Sequence, residues 1–313
     1  MDLTSCKLYG IKRKRDLFFL LKINDRKELK QIVNMYNPYI ANKGKKRLIE
    51  PIVSNKLKKV QKTIQILLKD IEFDENVFSG ISGKSYIDNG RYHIGCKYIV
   101  ALDISKFFPN THREKVYKFF KENLLNSSDV AKILTDLCCV DVCKIKDCKQ
   151  DVIQYIKDNN IKTKNHIPTG SSISCILSYL VNYDMFKKIS RILEKNGYKV
   201  SIYVDDIVIS SNKKINKQLI YKIIKEIRFS GYKIQKSKLK YYGDKEFKRV
   251  TGNIISKDGT KLIVPNKIRY KMLKVRKNKE LTDDKVKNKL RGYNQVIKQI
   301  EDSNKWRREL ISP

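Results

Sequence analysis

The stretch KVSIYVDDIVISS, residues 199–211, carries the most structural information in the chain. Its apolar residues alternate into Asp205-Asp206 and out again, the period of a β-hairpin. A second segment, KYIVALDI (97–104), is β-branched and apolar up to Asp103, and reads as a buried strand ending in an acid. If the two lie side by side, Asp103, Asp205 and Asp206 converge at one end of a sheet. Carboxylates so placed repel one another and raise each other's pKa, and the apolar flanks Ile202, Tyr203, Ile207 and Val208 sharpen the effect. A hard divalent cation held by carboxylate oxygens resolves the conflict. A solvated β-turn is the other reading of an Asp-Asp pair. Ile and Val continuing on both sides, with no Gly or Asn for a tight turn, argue against it.

Working outward, the chain has 313 residues with 68 Lys plus Arg against 33 Asp plus Glu, a formal charge of 68 − 33 = +35. Lys-rich codon bias does not explain why acids fail to balance the bases, so a nucleic-acid partner is expected. Beside such a partner, two magnesium ions at the acid cluster could activate a 3′-hydroxyl and neutralise a departing pyrophosphate. The longest apolar run, Leu17–Leu21, falls far short of the ~20 residues of a membrane span, and no secretory signal is visible, so a cytoplasmic location is expected. Seven cysteines, an odd count, fit reduced thiols. Cys138, Cys139, Cys143 and Cys148 crowd into one segment rather than the separated pairs of a zinc site, and buried small thiols are expected.

No internal repeat is visible. Residues 11–37 suit one or two exposed helices, and KGKKRLIEPI (43–52) reads as a basic turn entering a short extended segment. Leu57, Val60, Ile64, Leu67 and Leu68 recur at helical spacing after the N-cap candidate Ser54. Residues 78–90 read as a Gly/Ser-rich loop, 140–165 as a polar connection, and 166–198 as a Pro-Thr-Gly turn followed by one long helix. A helix at 216–229 and strands in KIQKSKLKYY and RVTGNIIS follow, then a Lys-rich helical part after Pro265. This order indicates mixed α and β structure with an antiparallel core and disfavours a doubly wound parallel sheet.

Tyr203-Val-Asp-Asp206 resembles the Y-x-D-D signature of reverse transcriptases, and ALDISKFFPN resembles their D-x-x-x-[FY]-F motif. The resemblance runs from about residue 40 to the C-terminus. Within it the chain is most similar to bacterial retron and retron-like, defence-associated reverse transcriptases. Asn89-Gly-Arg-Tyr-His93 resembles the retron N-A-x-x-H element with Gly90 in place of Ala, Val250-Thr251-Gly252 resembles its V-T-G element, and LTDLCCV (134–140) also looks retron-like. The implied fold is α+β, a right-hand polymerase. Residues 1–96 would be the N-terminal extension and fingers, 97–256 the antiparallel-sheet palm with finger helices inserted, and 257–313 a small basic helical thumb.

The implied activity is RNA-directed DNA synthesis with two magnesium ions. Asp103, Asp205 and Asp206 would hold the metal, with the Ile104 carbonyl as a further ligand. Phe108 falls at the aromatic gate under the incoming sugar, where a core position is the alternative; its neighbour Phe107 is expected in the core. Arg47 matches a finger Arg that pairs with the triphosphate, and Lys238 a lysine that protonates pyrophosphate. Pro168-Thr169-Gly170 stands where the family has P-Q-G. Gly170 allows close approach to the nucleotide, while Thr169 in place of Gln bears on template dependence. Asn182 matches a family Asn, or is locally hydrogen-bonded. Asn89, His93, Val250, Thr251 and Gly252 are the implied RNA-recognition residues, His93 being structural on the other reading, and no chemical role is expected of His112. Tyr270, Tyr293 or Trp306 could stack in the thumb.

The implied partners are a structured noncoding RNA serving as template, the RNA/DNA hybrid, dNTPs and a separately encoded effector protein in phage defence, without a membrane. Two alternatives stay open. One is a polymerase working without an external template or primed by protein. The other is a non-catalytic RNA-binding scaffold, against which the intact acids argue.

Overall fold

The computed structural model describes residues 1–42, 44–278 and 282–309, and for 306–309 the backbone alone. In chain order the elements begin with α1 (Lys14–Leu21), α2 (Arg26–Ile32), the hairpin β1 (Tyr39–Asn42) and β2 (Lys46–Ile49), α3 (Asn55–Leu68), α4 (Tyr86–Tyr92) and β3 (Tyr98–Asp103). Next come α5 (Arg113–Lys118), α6 (Ser128–Cys138), β4 (Val140–Asp141), α7 (Gln150–Asp158), β5 (Asn165–His166), α8 (Ser174–Val181) and α9 (Tyr183–Lys195). The chain then forms β6 (Lys199–Tyr203), β7 (Asp206–Ser211), α10 (Lys217–Phe229), β8 (Lys240–Tyr242), β9 (Lys248–Val250), β10 (Asn253–Ile255), β11 (Leu262–Ile263), α11 (Asn266–Lys277) and α12 (Asp283–Glu309).

The central sheet runs β6-β7-β3-β8, every pair antiparallel. The strands β3, β6 and β7 are buried on both faces, while the edge strand β8 is largely exposed. Val100, Leu102, Val200, Ile202, Ile207 and Ile209 enter the larger core, while Ile99 and Val208 enter a second core with Ile87, Val250, Ile255, Leu262 and Ile300. The period of two therefore sorts side chains between two apolar bodies rather than between core and water. The second core explains a three-stranded sheet, β11-β10-β9, lying beside α4 and α12. No helix among the described residues is long and apolar enough to cross a membrane.

Several local expectations hold. Ser54 caps α3, accepting a hydrogen bond from Leu57 N–H, and Leu57, Val60, Ile64 and Leu68 are buried. Others are corrected. The single long helix after the Pro-Thr-Gly turn is two, broken at Asn182, whose side chain donates to Ser178 O and accepts from Tyr232 Oη and Lys115 Nζ. The 78–90 loop contains the start of α4, nucleated by a capping box between Ser85 and Asp88. The 140–165 connection holds α7, whose Val152 and Ile156 are buried. The strand expected at 233–242 survives as β8 alone, because Lys236–Lys238 turn as a 3-10 helix. Residues 11–37 form two helices that bury Leu17, Leu21 and Ile32 rather than lying exposed.

Candidate active site

Antiparallel pairing of β3 with β7 sets Asp103 directly opposite Asp206. Asp205 occupies the two-residue turn between β6 and β7, so all three carboxylates meet, with ligand oxygens within 4.8 Å of one another. The turn is tight without Gly or Asn, contrary to the sequence argument. Val204 takes a left-handed conformation at φ +58°, strained for a β-branched residue. Long-range bonds hold it: Val204 N–H donates to Ser79 Oγ at 2.9 Å, and Ile104 N–H donates to the Asp205 carbonyl at 2.8 Å. Gln235 N–H likewise grips the Asp103 carbonyl at 2.8 Å.

Burial, then the charge of Asp103, pushes the Asp205 carboxyl up to about 6. Burial, then Asp205 and Asp103, pushes Asp206 up to about 7. Lys238 Nζ sits on Asp103 Oδ2 and opposes both shifts. A buried anionic cluster that draws in an ammonium group is a donor set suited to a hard divalent cation. Asp103, Asp205 and Asp206 are the residues that could hold one.

Asp103 and Asp205 open on a cavity of about 540 Å³ that Arg47, Phe108, Thr169 and Lys238 also line. Arg47 lies on β2, exposed, and its charge reaches Asp205. Phe107 is buried against Phe186 and Tyr232, whereas Phe108 stands half-buried on the cavity wall. Gly170 requires its identity: at φ +110° a side chain would be strained. Six sequence-selected positions (47, 103, 108, 169, 205 and 238) are thus brought to one cavity.

Sequence reading missed what positions the Pro-Thr-Gly turn. Glu50, fully buried, receives Thr169 N–H on Oε2 at 2.8 Å, holds His166 Nε2 on Oε1 at 2.9 Å, and donates its own N–H to Thr169 O at 2.7 Å. The signal was a lone acid within the apolar run LIEPI. Ser79 and Gln235 carried no comparable signal.

The expected RNA-recognition residues divide into three that are buried and two that reach the surface. Asn89, His93 and Val250 are fully buried. His93 lies between Ser210 Oγ on Nδ1 and Ser201 Oγ on Nε2, each at 2.7 Å, and burial pushes its pKa down to about 3, so the ring is neutral. Asn89 Nδ2 donates to Thr251 Oγ1 at 2.7 Å. Thr251 and Gly252, at φ +45° and +89°, form the turn joining β9 to β10, and these two retain some exposure. Gly90 fits for a steric reason: a Cβ there would lie 2.9 Å from Asn253 Nδ2.

Cys138 and Cys139 are buried at the end of α6, while Cys143 is exposed. Tyr270 is exposed on α11 with Lys274 Nζ 4.8 Å from its ring centroid, and the Trp306 side chain lies outside the described residues.

A strand-borne acid and a hairpin-tip acid pair thus stand beside a cavity rich in cations. The chain belongs to the reverse transcriptase (RNA-dependent DNA polymerase) family, whose profile matches residues 30–252. It is similar to the retron Se72 reverse transcriptase of Salmonella heidelberg, 26% identical over 185 residues, covering 59% of this chain and 42% of that one. The retron Ec83 reverse transcriptase of Escherichia coli is 25% identical over 205 residues, 63% of this chain and 60% of the relative. The retron Ec86 enzyme of the same species is 26% identical over 179 residues, 56% and 48% respectively. The chain thus spans about half the length of the curated relatives it matches.

Proposed function

We propose that the chain is a retron-type RNA-directed DNA polymerase that copies a dedicated noncoding RNA and acts in antiphage defence with a separately encoded effector. The observation that carries the polymerase reading is the convergence of Asp103, Asp205 and Asp206, the first two of which line the Arg47 cavity. Residues 97–256 serve as palm, the segments before them as N-terminal extension and fingers, and 257–313 as thumb. The segment 86–95 nevertheless belongs physically with β9–β11, since Asn89 bonds Thr251 and Asn253 Nδ2 reaches Tyr86 O.

In this reading the three aspartates and the Ile104 carbonyl would hold two magnesium ions, which would supply Lewis acidity for attack by a primer hydroxyl. Arg47 clasps the triphosphate through its guanidinium fork. Phe108 presses under the sugar and disfavours a 2′-hydroxyl. Thr169 and Gly170, held in place by Glu50, line the nucleotide's floor. Lys238, whose ammonium sits on Asp103 at the mouth of the acid cluster, would donate a proton to the leaving pyrophosphate. RNA contacts fall to the exposed turn Thr251-Gly252 and to α11, with Lys267, Arg269, Lys271 and Lys274 around Tyr270. Asn89 supports that turn from inside through its bond to Thr251, and Val250, buried, leads into it.

The test is primer extension on an RNA template, with and without template, by the wild type and by Asp205→Asn/Asp206→Asn. Template-dependent incorporation abolished in the variant is expected. Equal incorporation without template would replace this reading by template-independent synthesis, for which Thr169 in place of the family's Gln is the motive.

A further inference from the structure

A second cavity, of about 500 Å³, lies beside the first and is lined by Lys162, Arg228, Lys233 and Lys236 together with Gly231 and Ile234. Every charged side chain on its wall is a cation. None of the four forms an ion pair with a carboxylate among the described residues. Lys162 donates to Gly231 O at 3.0 Å, just past the end of α10, which fixes its position on the wall and leaves its charge uncompensated. The field is felt nearby. Burial and the charge of Lys162 lower the Lys115 pKa to about 8, and burial and Lys233 lower that of Lys106.

The two cavities share their partition. Ile161 and Gln235 face the aspartate cavity, while their chain neighbours Lys162 and Ile234 face this one. The same partition is bonded to the catalytic strand: Ile104 bridges Ile234, Ser105 N–H donates to Lys233 O at 2.7 Å, and Gln235 N–H to Asp103 O at 2.8 Å.

We propose that this cavity is a polyphosphate-holding site, taking the triphosphate tail of a nucleotide on its way to the aspartates and the pyrophosphate on its way out. A concave pocket of this size suits a compact polyanion. An RNA backbone follows extended grooves and needs no pocket. Unpaired cations next to a site that consumes one polyanion and releases another raise the local concentration of both.

The inference rests on the polymerase reading, so the test has an arm that does not. Lys233→Gln/Lys236→Gln spares Lys162 and the end of α10, and Lys233→Arg/Lys236→Arg keeps the charge. At saturating primer–template, the Gln variant should raise the dNTP KM by about three- to tenfold with kcat within about twofold, an effect that shrinks with added salt. Inhibition by pyrophosphate should weaken in parallel, and the Arg variant should restore both. Independently, calorimetric titration of inorganic pyrophosphate into the chain in EDTA should show weaker binding by the Gln variant. Equal pyrophosphate binding overturns the proposal even if the wild type incorporates nothing. An unchanged KM with weakened RNA affinity would reassign the cavity to the RNA backbone.

Discussion

Asp206→Asn should stabilise the metal-free protein while abolishing its chemistry. The Asp206 carboxyl titrates near 7 in the fold against an ordinary 3.8, chiefly because it is buried and faces Asp205 and Asp103. Keeping it ionised above pH 7 therefore costs about 4 kcal/mol. Asp205, raised to about 6, shares the same repulsion, so the two penalties do not add. For an acid raised in the folded state, the fold binds more protons than the unfolded chain between about pH 4 and 7, so stability falls as pH rises through that window. The penalty is absent below it and complete above it. Removing one charge should gain about 2–4 kcal/mol at pH 8, or about 3–6 °C in Tm for a cooperative chain of 313 residues. At pH 5 about a third of the gain should remain. His93, held near 3, loses stability in the opposite sense as pH falls below about 6.5, so the quantity to read is variant minus wild type at each pH. Scanning calorimetry in EDTA at pH 5 and pH 8 measures it. Magnesium should raise the wild-type Tm more at pH 8 than at pH 5, and raise the variant's less. A variant no more stable than wild type at pH 8, or a gain equal at both pH values, would refute the electrostatic account of the site.

Phe108→Ala should open the cavity wall and raise ribonucleotide relative to deoxynucleotide incorporation, read from competing substrates in primer extension; an unchanged ratio would return Phe108 to a packing role. His93→Ala should strand the hydroxyls of Ser201 and Ser210 and leave a void, lowering stability by about 3 kcal/mol in denaturant unfolding. RNA affinity of the folded protein should stay the same, and a selective loss for the cognate RNA at unchanged stability would reinstate a direct contact.

Local patterns made part of this protein legible in its sequence. The alternation of 199–211 marks a hairpin because strand side chains repeat every two residues, and the 3–4 spacing after Ser54 marks α3 for the corresponding helical reason. The acids stood out because a carboxylate inside a β-branched run needs a partner. Tertiary structure alone decided the rest. It set Asp103 against Asp206 by strand register, and held Val204 at positive φ through Ser79, 125 residues away in sequence. It broke the long helix at Asn182 because Tyr232 and Lys115 claim that side chain, and buried His93 between two serines more than 100 residues distant. Periodicity reports which side of an element meets the core, but not which distant polar group will satisfy a buried donor or acceptor. That choice is made when segments pack, and each buried polar atom must find a partner from whatever element arrives beside it.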